Sequence, residues 1–359
     1  MKHASYYFAD GSIVLSAVHS ETKQVVLYRV QTTLLSRHSE VFADMLTMPS
    51  PPEAPTYEGA PLVHLPDTAE EIEAMVHCFY DPGRLYHEDV DPASPFWRDA
   101  MHMATKYIIS SIRARIVASL EKQWPRTLQE WIAHEARKRF LYEEWVRRDD
   151  EGRFYDDLVP EPASAIRFAR DFDVPSILPA AFYDLLLIDP KNDWDTCRRR
   201  GPAQEPSSPL KDGDRTARWD LLSALDFRAL MAGREKLWQR FLEFEHSTEM
   251  DRHSKYGQAK SCPCVYATTA TRHEWVRTSG VLQYFVRVAD TAADGSGPAY
   301  DIQACKPCYR RIGERARSMR EKVWDELAAM FTVDGDAASR GFIDPGSSTL
   351  LPEVGLCLL

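Results

Sequence analysis

The sequence predicts an α+β protein: a small sheet capped by helices over residues 5–125, then a mostly α-helical region over residues 126–333, then a loose tail over 334–359. Three observations lead there. β-Branched and aromatic runs are concentrated before residue 66. From Ile72 onward apolar residues recur at the three- and four-residue spacing of helices that rest one face on a core. Trp124-Pro125 closes the first helical series, and strand signals are scarce after it.

Taken in order, Ile13-Val14-Leu15 and Val25-Val26-Leu27-Tyr28-Arg29-Val30 read as two strands, with the polar stretch 16–23 as a hairpin connection. Ser39 is placed to cap a short helix in which Val41, Phe42, Met45 and Leu46 share a face, and the Pro49-Ser50-Pro51-Pro52 cluster ends it. A loop runs to about Pro61. Leu62-Val63-His64-Leu65 is a third strand. Asp67, with Glu70 three residues on, is a capping-box-like start for the helix of Ile72, Val76 and Phe79, which Asp81-Pro82-Gly83 stops.

Ser94-Pro95 opens a further helix, because proline fits the first helical position, and Ala100, Met103 and Tyr107 form its apolar stripe. Ser110 or Ser111 restarts the chain into Ile112, Ile116 and Leu120. Later helical patterns fall at Leu128, Trp131, Ile132 and Trp145, at 166–172, at 177–187 and at 221–244. The stretch 198–214 is rich in Pro, Ser, Gly and charge, which predicts a flexible linker, and 290–298 predicts a second loop. A last helix carries Ile312, Ala316, Met319, Val323, Leu327 and Met330 on one face.

With 359 residues the chain can form two or three domains, and 44 Lys and Arg against 54 Asp and Glu give a net charge of −10. That balance opposes direct binding to nucleic acid or to anionic lipid. No apolar run is long enough to span a bilayer, the longest being broken at Asp184, and Met1-Lys2-His3-Ala4-Ser5-Tyr6 lacks the apolar core of a signal peptide. The expected compartment is cytosol or nucleus, with no membrane partner. Seven cysteines, an odd number, then point to reduced thiols or metal ligands rather than a disulfide framework.

Several segments of the first 125 residues resemble, in order and at family-like spacing, the BTB/POZ domain as it occurs in the large fungal, mushroom-type families. They are Asp10-Gly11-Ser12-Ile13-Val14-Leu15; Tyr28-Arg29-Val30 leading into Leu34-Leu35-Ser36-Arg37-His38-Ser39-Glu40-Val41-Phe42-Ala43-Asp44-Met45-Leu46; Val63-His64-Leu65-Pro66-Asp67; Phe79-Tyr80; and Ala104-Thr105-Lys106-Tyr107. The resemblance covers about a third of the chain. It implies a sheet capped by helices, with Val14, Val26, Leu34, Leu35, Phe42, Met45, Val63 and Tyr107 in its core. It also implies a non-enzymatic role in binding protein partners, through a homo- or hetero-dimer to which residues 5–15 contribute. Some members of the family are substrate adaptors of cullin-type ubiquitin ligases and others are transcriptional regulators. Animal cullin adaptors commonly carry an apolar-x-Glu element after the helix that matches Glu40 to Leu46. Here that place holds Met48-Pro49-Ser50-Pro51-Pro52-Glu53, without that spacing, and Gln31 stands where the family usually has histidine.

Outside this region the sharpest chemical signal is Cys262-Pro263-Cys264 with Cys305-Lys306-Pro307-Cys308. Four thiolates in two close pairs can fill a tetrahedral Zn²⁺ site, which would then be structural, and His253 or His273 could replace one thiol. Unligated reduced thiols, or a redox dithiol at the start of the last helix, are the alternatives. Cys78 reads as packing; Cys197 and Cys357 fall in expected loops. His134-Glu135 and His273-Glu274 begin like a zincin motif, but Lys138 and Arg277 hold the places of the second histidine. The basic run Arg310, Arg311, Arg315, Arg317 and Arg320 reads as a solvated helix face. A zinc- or thiol-dependent enzyme is the least favoured reading, since no base accompanies the cysteines.

Overall fold

The computed structural model describes residues 1–49, 53–87, 89–148, 154–199, 209–254, 265–266, 273, 276, 280–294, 302–303 and 306–333. The chain is mixed α+β, with a curled five-stranded sheet at the N-terminus followed by helices. Strands β1 (Lys2–Tyr7), β2 (Ile13–Val18), β3 (Val25–Val30), β4 (Thr56–Tyr57) and β5 (Ala60–Thr68) are ordered β1-β3-β2-β5-β4. β2 and β3 form an antiparallel hairpin from Ile13↔Val30 to Val18↔Val25. The His19 ring accepts the amides of Glu21 and Thr22 and so fixes the turn between them.

The chain leaves β3 into α1 (Thr32–His38) and α2 (Glu40–Thr47), then returns so that β5 lies parallel to β2. The 49–61 loop contains a short strand, β4, because Glu58 and Gly59 both adopt left-handed backbone (φ 48° and 79°) and fold β4 onto β5 in a tight turn. Next come α3 (Ala69–Tyr80), α4 (Gly83–His87), α5 (Pro95–Lys106) and α6 (Ser110–Gln123). The capping box of α3 is Thr68 with Glu71, one residue later than the sequence suggests. β5 runs on through Thr68, and the buried Asp67 carboxylate is taken instead by Lys106 and by the Tyr107 hydroxyl.

The helical region comprises α7 (Leu128–Arg148), α8 (Pro162–Asp171), α9 (Leu178–Leu185), α10 (Trp194–Arg199), α11 (Ala224–Ser254), α12 (Val281–Asp294) and α13 (Lys306–Met330). Two-residue strands β6 (Val265–Tyr266) and β7 (Ile302–Gln303) pair with each other. Ile312, Ala316, Val323, Leu327 and Met330 are buried along α13, and Met319 packs beside them. α12 continues through 290–294, where a loop was expected, because Ala289 and Ala292 pack inward; the rest of that loop and the 334–359 tail lie outside the described residues.

The interior is continuous across residue 125. One hydrophobic cluster joins Tyr28, Phe42, Trp97, Ile116 and Trp124 to Trp131, Phe168, Phe182, Phe241 and Phe285. Arg98 pairs with Asp171, and Arg113 donates to the Phe172 carbonyl at 2.9 Å. Of the expected linker, 200–208 lies outside the described residues, but Arg198 and Arg199 belong to α10, and Pro209–Asp212 is a 3-10 turn with Leu210 fully buried. What orders this polar segment is a set of long-range ion pairs described below.

Candidate interaction surface of the N-terminal unit

Ser39 joins three elements. Its hydroxyl accepts the Phe42 amide at 3.1 Å, capping α2, and donates to the Tyr107 carbonyl at the end of α5 at 2.6 Å. The Phe42 and Tyr107 rings stack with centroids 4.6 Å apart. Burial, and then the neighbouring Asp67, push the Tyr107 phenol well above its ordinary value, so it stays a hydrogen-bond donor.

From that anchor the chain turns sharply. The Ile109 amide donates to Ala104 at 2.8 Å and the Ile108 amide to Thr105 at 3.4 Å, the bonds of a Schellman turn closing α5. Such a turn needs a left-handed residue, normally glycine or asparagine, yet Ile108 occupies it with φ 51°. Ile108 is also 47% exposed. A β-branched residue held in this backbone region costs about 1–3 kcal/mol, and its side chain gains little burial in return.

Ile108 overhangs a cleft of about 330 Å³ between α1–α2 and the start of α6, whose walls include Arg37, His38, Ala43, Ser110 and Ser111. His38 is held by stacking on Phe79 at 5.3 Å. Ala43 and Ile108 are the apolar residues of a lining that is otherwise polar or charged, with Arg37, Glu40 and the hydroxyls of Ser36, Ser39, Ser110 and Ser111.

One edge of the sheet is β1, none of whose residues is buried. It runs parallel to β3 with matched positions at Lys2↔Leu27 and Tyr7↔Arg29 and a register irregularity between them. Side chains hold it in place: Lys2 and Tyr7 both bind Glu58 (2.5 and 2.7 Å), Tyr6 meets His77 at 2.6 Å, and His3 stacks on Tyr28 at 4.9 Å. Three histidines from three elements face carboxylates of α3: His3 with Glu73 (3.6 Å), His19 with Glu70 (3.3 Å) and His102 with Glu71 (2.6 Å).

Among the residues expected in the core, Val26, Leu35, Phe42 and Tyr107 are buried in one cluster, with Met45 and Val63 packed against it and Leu34 half-buried. Val14 is buried but falls outside that cluster. The two-residue period of β2 gives the helix-facing side to Ile13, Leu15 and Ala17 and leaves Val14 with Ser16, whose hydroxyl meets His64 at 2.5 Å, on the other face.

Cys262, Cys264, Cys305 and Cys357 lie outside the described residues; Cys308 is in the first turn of α13. Among the described residues no group of three or more His, Cys, Asp or Glu side chains is arranged to hold a metal ion, and no helix is long and apolar enough to cross a membrane. Cys78 is buried and its thiol is pushed up to about 12 by that burial, which makes it a packing group. Cys197 is on α10, not in a loop. In the basic run, Arg310 and Arg317 are exposed, whereas Arg315 donates to the Ser247 carbonyl at 2.5 Å.

A buried ionic cluster escaped the sequence reading. Lys138, which interrupts the His134-Glu135 motif, pairs with Glu135 (2.5 Å) and Asp184 (2.7 Å). Asp184 also binds Arg215 at 2.6 Å, while Asp156 accepts from Thr216 at 2.5 Å and pairs with Arg198 at 3.1 Å. The signal was Asp184 itself, a carboxylate inside the 177–188 apolar run that needs a buried cation. The cluster fastens the 209–217 segment to α7, α9 and the turn at Tyr155–Leu158. No family model, no curated protein and no solved structure matches the chain.

Proposed function

We propose that this chain is a non-enzymatic interaction protein of the cytosol or nucleus whose N-terminal unit works as a BTB/POZ-type module, dimerising or recruiting a protein partner. The observation that carries the reading is Ile108, a β-branched side chain kept exposed in left-handed backbone at the wall of a cleft. Strain retained beside a cleft is what a binding surface needs and what a purely structural turn would lose to glycine. The order of elements supports the same reading: a hairpin, a helix pair, a returning strand and then helices make a small sheet followed by a cluster of helices, and a sheet capped by helices is what the resemblance implies.

The test is light scattering on the purified full chain, together with capture of a cullin N-terminal region on wild type and on Ile108→Asp and Ala43→Arg variants. Self-association, or cullin capture that both variants lose, supports the reading. A monomer at high micromolar concentration that captures nothing overturns it. Cullin capture sensitive to both variants would favour the ubiquitin-ligase adaptor role.

We also propose that Cys262, Cys264, Cys305 and Cys308 hold a structural Zn²⁺. β6 and β7 pair antiparallel, with Val265 opposite Gln303 and Tyr266 opposite Ile302. In sequence Cys262 and Cys264 directly precede β6, and Cys305 and Cys308 directly follow β7, so both pairs leave the same end of this ladder. At roughly 3.5 Å of chain per residue, this is within reach of one ion, and a set of four thiols suits tetrahedral zinc. Metal analysis of the full chain should find one zinc, lost in a Cys305→Ser/Cys308→Ser variant; a metal-free protein with titratable thiols would favour unligated cysteines.

A further inference from the structure

The Nδ1 atom of His3 accepts two backbone amides of its own strand, those of Ser5 at 3.2 Å and Tyr6 at 3.1 Å. Both amides fall inside the register irregularity of β1, between the positions Lys2↔Leu27 and Tyr7↔Arg29 that pair with β3. The imidazole therefore holds a bulge together in an edge strand. Only a lone pair can receive an N–H, so the ring in this arrangement is neutral and carries its proton on Nε2, which lies 3.6 Å from Glu73 of α3. Tyr6 and Tyr28 stack on the ring, with centroids 5.1 and 4.9 Å away. Burial above all raises both phenols over their ordinary value, so both stay uncharged, and among the described residues Glu73 is the carboxylate that reaches the ring. Tyr6 in turn meets His77 of α3 through its hydroxyl.

We infer that His3 is a proton-operated latch on the sheet edge: neutral, it gathers the middle of β1 into its bulge, and protonated at Nδ1 it lets residues 4–6 go. A proton at Nδ1 sets an N–H against two other N–H groups at hydrogen-bond distance, and both bonds are lost at once. The charge gained is attracted to Glu73 on the Nε2 side, so the ring has no reason to follow the strand. Histidine changes charge between about pH 5 and 8. The ends of β1 do not open there. The Met1 carbonyl accepts the Leu27 amide at 2.8 Å, the Phe8 amide donates to the Arg29 carbonyl at 2.9 Å, and Lys2 and Tyr7 share Glu58, whose carboxyl they hold below its ordinary value. His19 supplies the contrast. Its Nδ1 also accepts two amides, of Glu21 and Thr22, but Glu70 lies 3.3 Å from that same nitrogen and would accept the new N–H. Backbone bonds from His19 to Gln24 and from Lys23 to His19 keep that turn closed in either state. The latch uses neither the Ile108 cleft nor any partner, and so goes beyond the N-terminal reading.

The test is heteronuclear NMR on the full chain from about pH 8 to about pH 5, reading the ring nitrogens of His3 together with the backbone amides. At the alkaline end the ring should show the neutral form protonated at Nε2. On acidification the Ser5 and Tyr6 amides should shift with the midpoint of the His3 ring. Their hydrogen-exchange protection, corrected for the intrinsic rate, should fall about tenfold as both bonds are lost, while the Leu27 and Phe8 amides stay protected. His3→Asn offers the same amides a side-chain oxygen that does not titrate and should keep the bulge closed throughout, whereas His3→Leu should leave it open even at the alkaline end. His77→Gln, which removes the other histidine beside Tyr6, should leave the Ser5 response in place. A ring that titrates while Ser5 and Tyr6 stay unmoved, a ring that keeps one protonation state across the range, or an asparagine variant as pH-dependent as wild type overturns the inference.

Discussion

The Ser39 hydroxyl donates to the Tyr107 carbonyl across 68 residues of sequence while it caps α2 through the Phe42 amide. Replacing Ser39 with alanine removes a helix cap and leaves a buried carbonyl unpaired. Each loss is worth about 1 kcal/mol. Ser39→Ala should therefore lower unfolding stability by about 2 kcal/mol in denaturant titrations, whereas Ser39→Thr, which keeps the hydroxyl, should retain most of it.

Asp184 sits between Lys138 and Arg215. Burial alone would raise its carboxyl, but Arg215 and Lys138 outweigh that and hold it below its ordinary value of 3.8. A carboxyl depressed in the folded state stabilises the fold above its ordinary value, and that stabilisation is lost as pH falls through the folded value. Acid unfolding should thus begin below about pH 4. Asp184→Asn leaves two buried cations short of an anion and should cost about 3–5 kcal/mol near neutral pH. A variant as stable as wild type in urea at neutral pH would contradict the pairing.

Asp99 behaves in the opposite sense. Burial first, then Glu71 and Glu70, raise its carboxyl to about 6. The folded state then holds a proton that the unfolded state releases, so stability should fall as pH rises from 3.8 to about 6 and stay lower above that. Asp99→Asn should raise the melting temperature near neutral pH and leave it unchanged near pH 4. The gain is expected to be under about 1 kcal/mol because the group is partly solvated.

Ile108 separates stability from binding. Ile108→Asn supplies a residue at ease in left-handed backbone and should stabilise the chain by about 1 kcal/mol, because the strain at φ 51° is relieved. The same change should weaken any partner that depends on the exposed isoleucine. Thermal melts and partner capture on one preparation measure both effects, and equal or lower stability of Ile108→Asn would remove the strain argument.

Which parts of this were readable in the sequence follows from how local their causes are. α2, α5, α6 and α13 were legible because helical spacing of apolar residues, the Ser39 cap and Pro95 at the first helical position act within a few residues. β1 was not, because Lys2-His3-Ala4-Ser5-Tyr6-Tyr7 has no fully buried residue and is held by contacts to Glu58, His77 and Tyr28. The order of 209–214, the end of the expected linker, was hidden for the same reason: it is held from just beyond its end by Arg215 and Thr216, which reach Asp184 and Asp156, 31 and 60 positions away. The cleft was hidden too, since neither the left-handed backbone of Ile108 nor its exposure shows in the residue type.

The hydrophobic cluster that runs from Phe42 through Trp124 and Trp131 to Phe285 has a practical consequence for anyone dissecting this chain. A cut at residue 125 would not separate two finished pieces; it would wet the inner flanks of α6 and of Trp124 and leave a sticky fragment. The Ile108 cleft is walled in part by Ser110 and Ser111 at the start of α6, and α6 rests against the turn at Pro175–Ile177, so the wall of the cleft is continuous with the packing of the helical half.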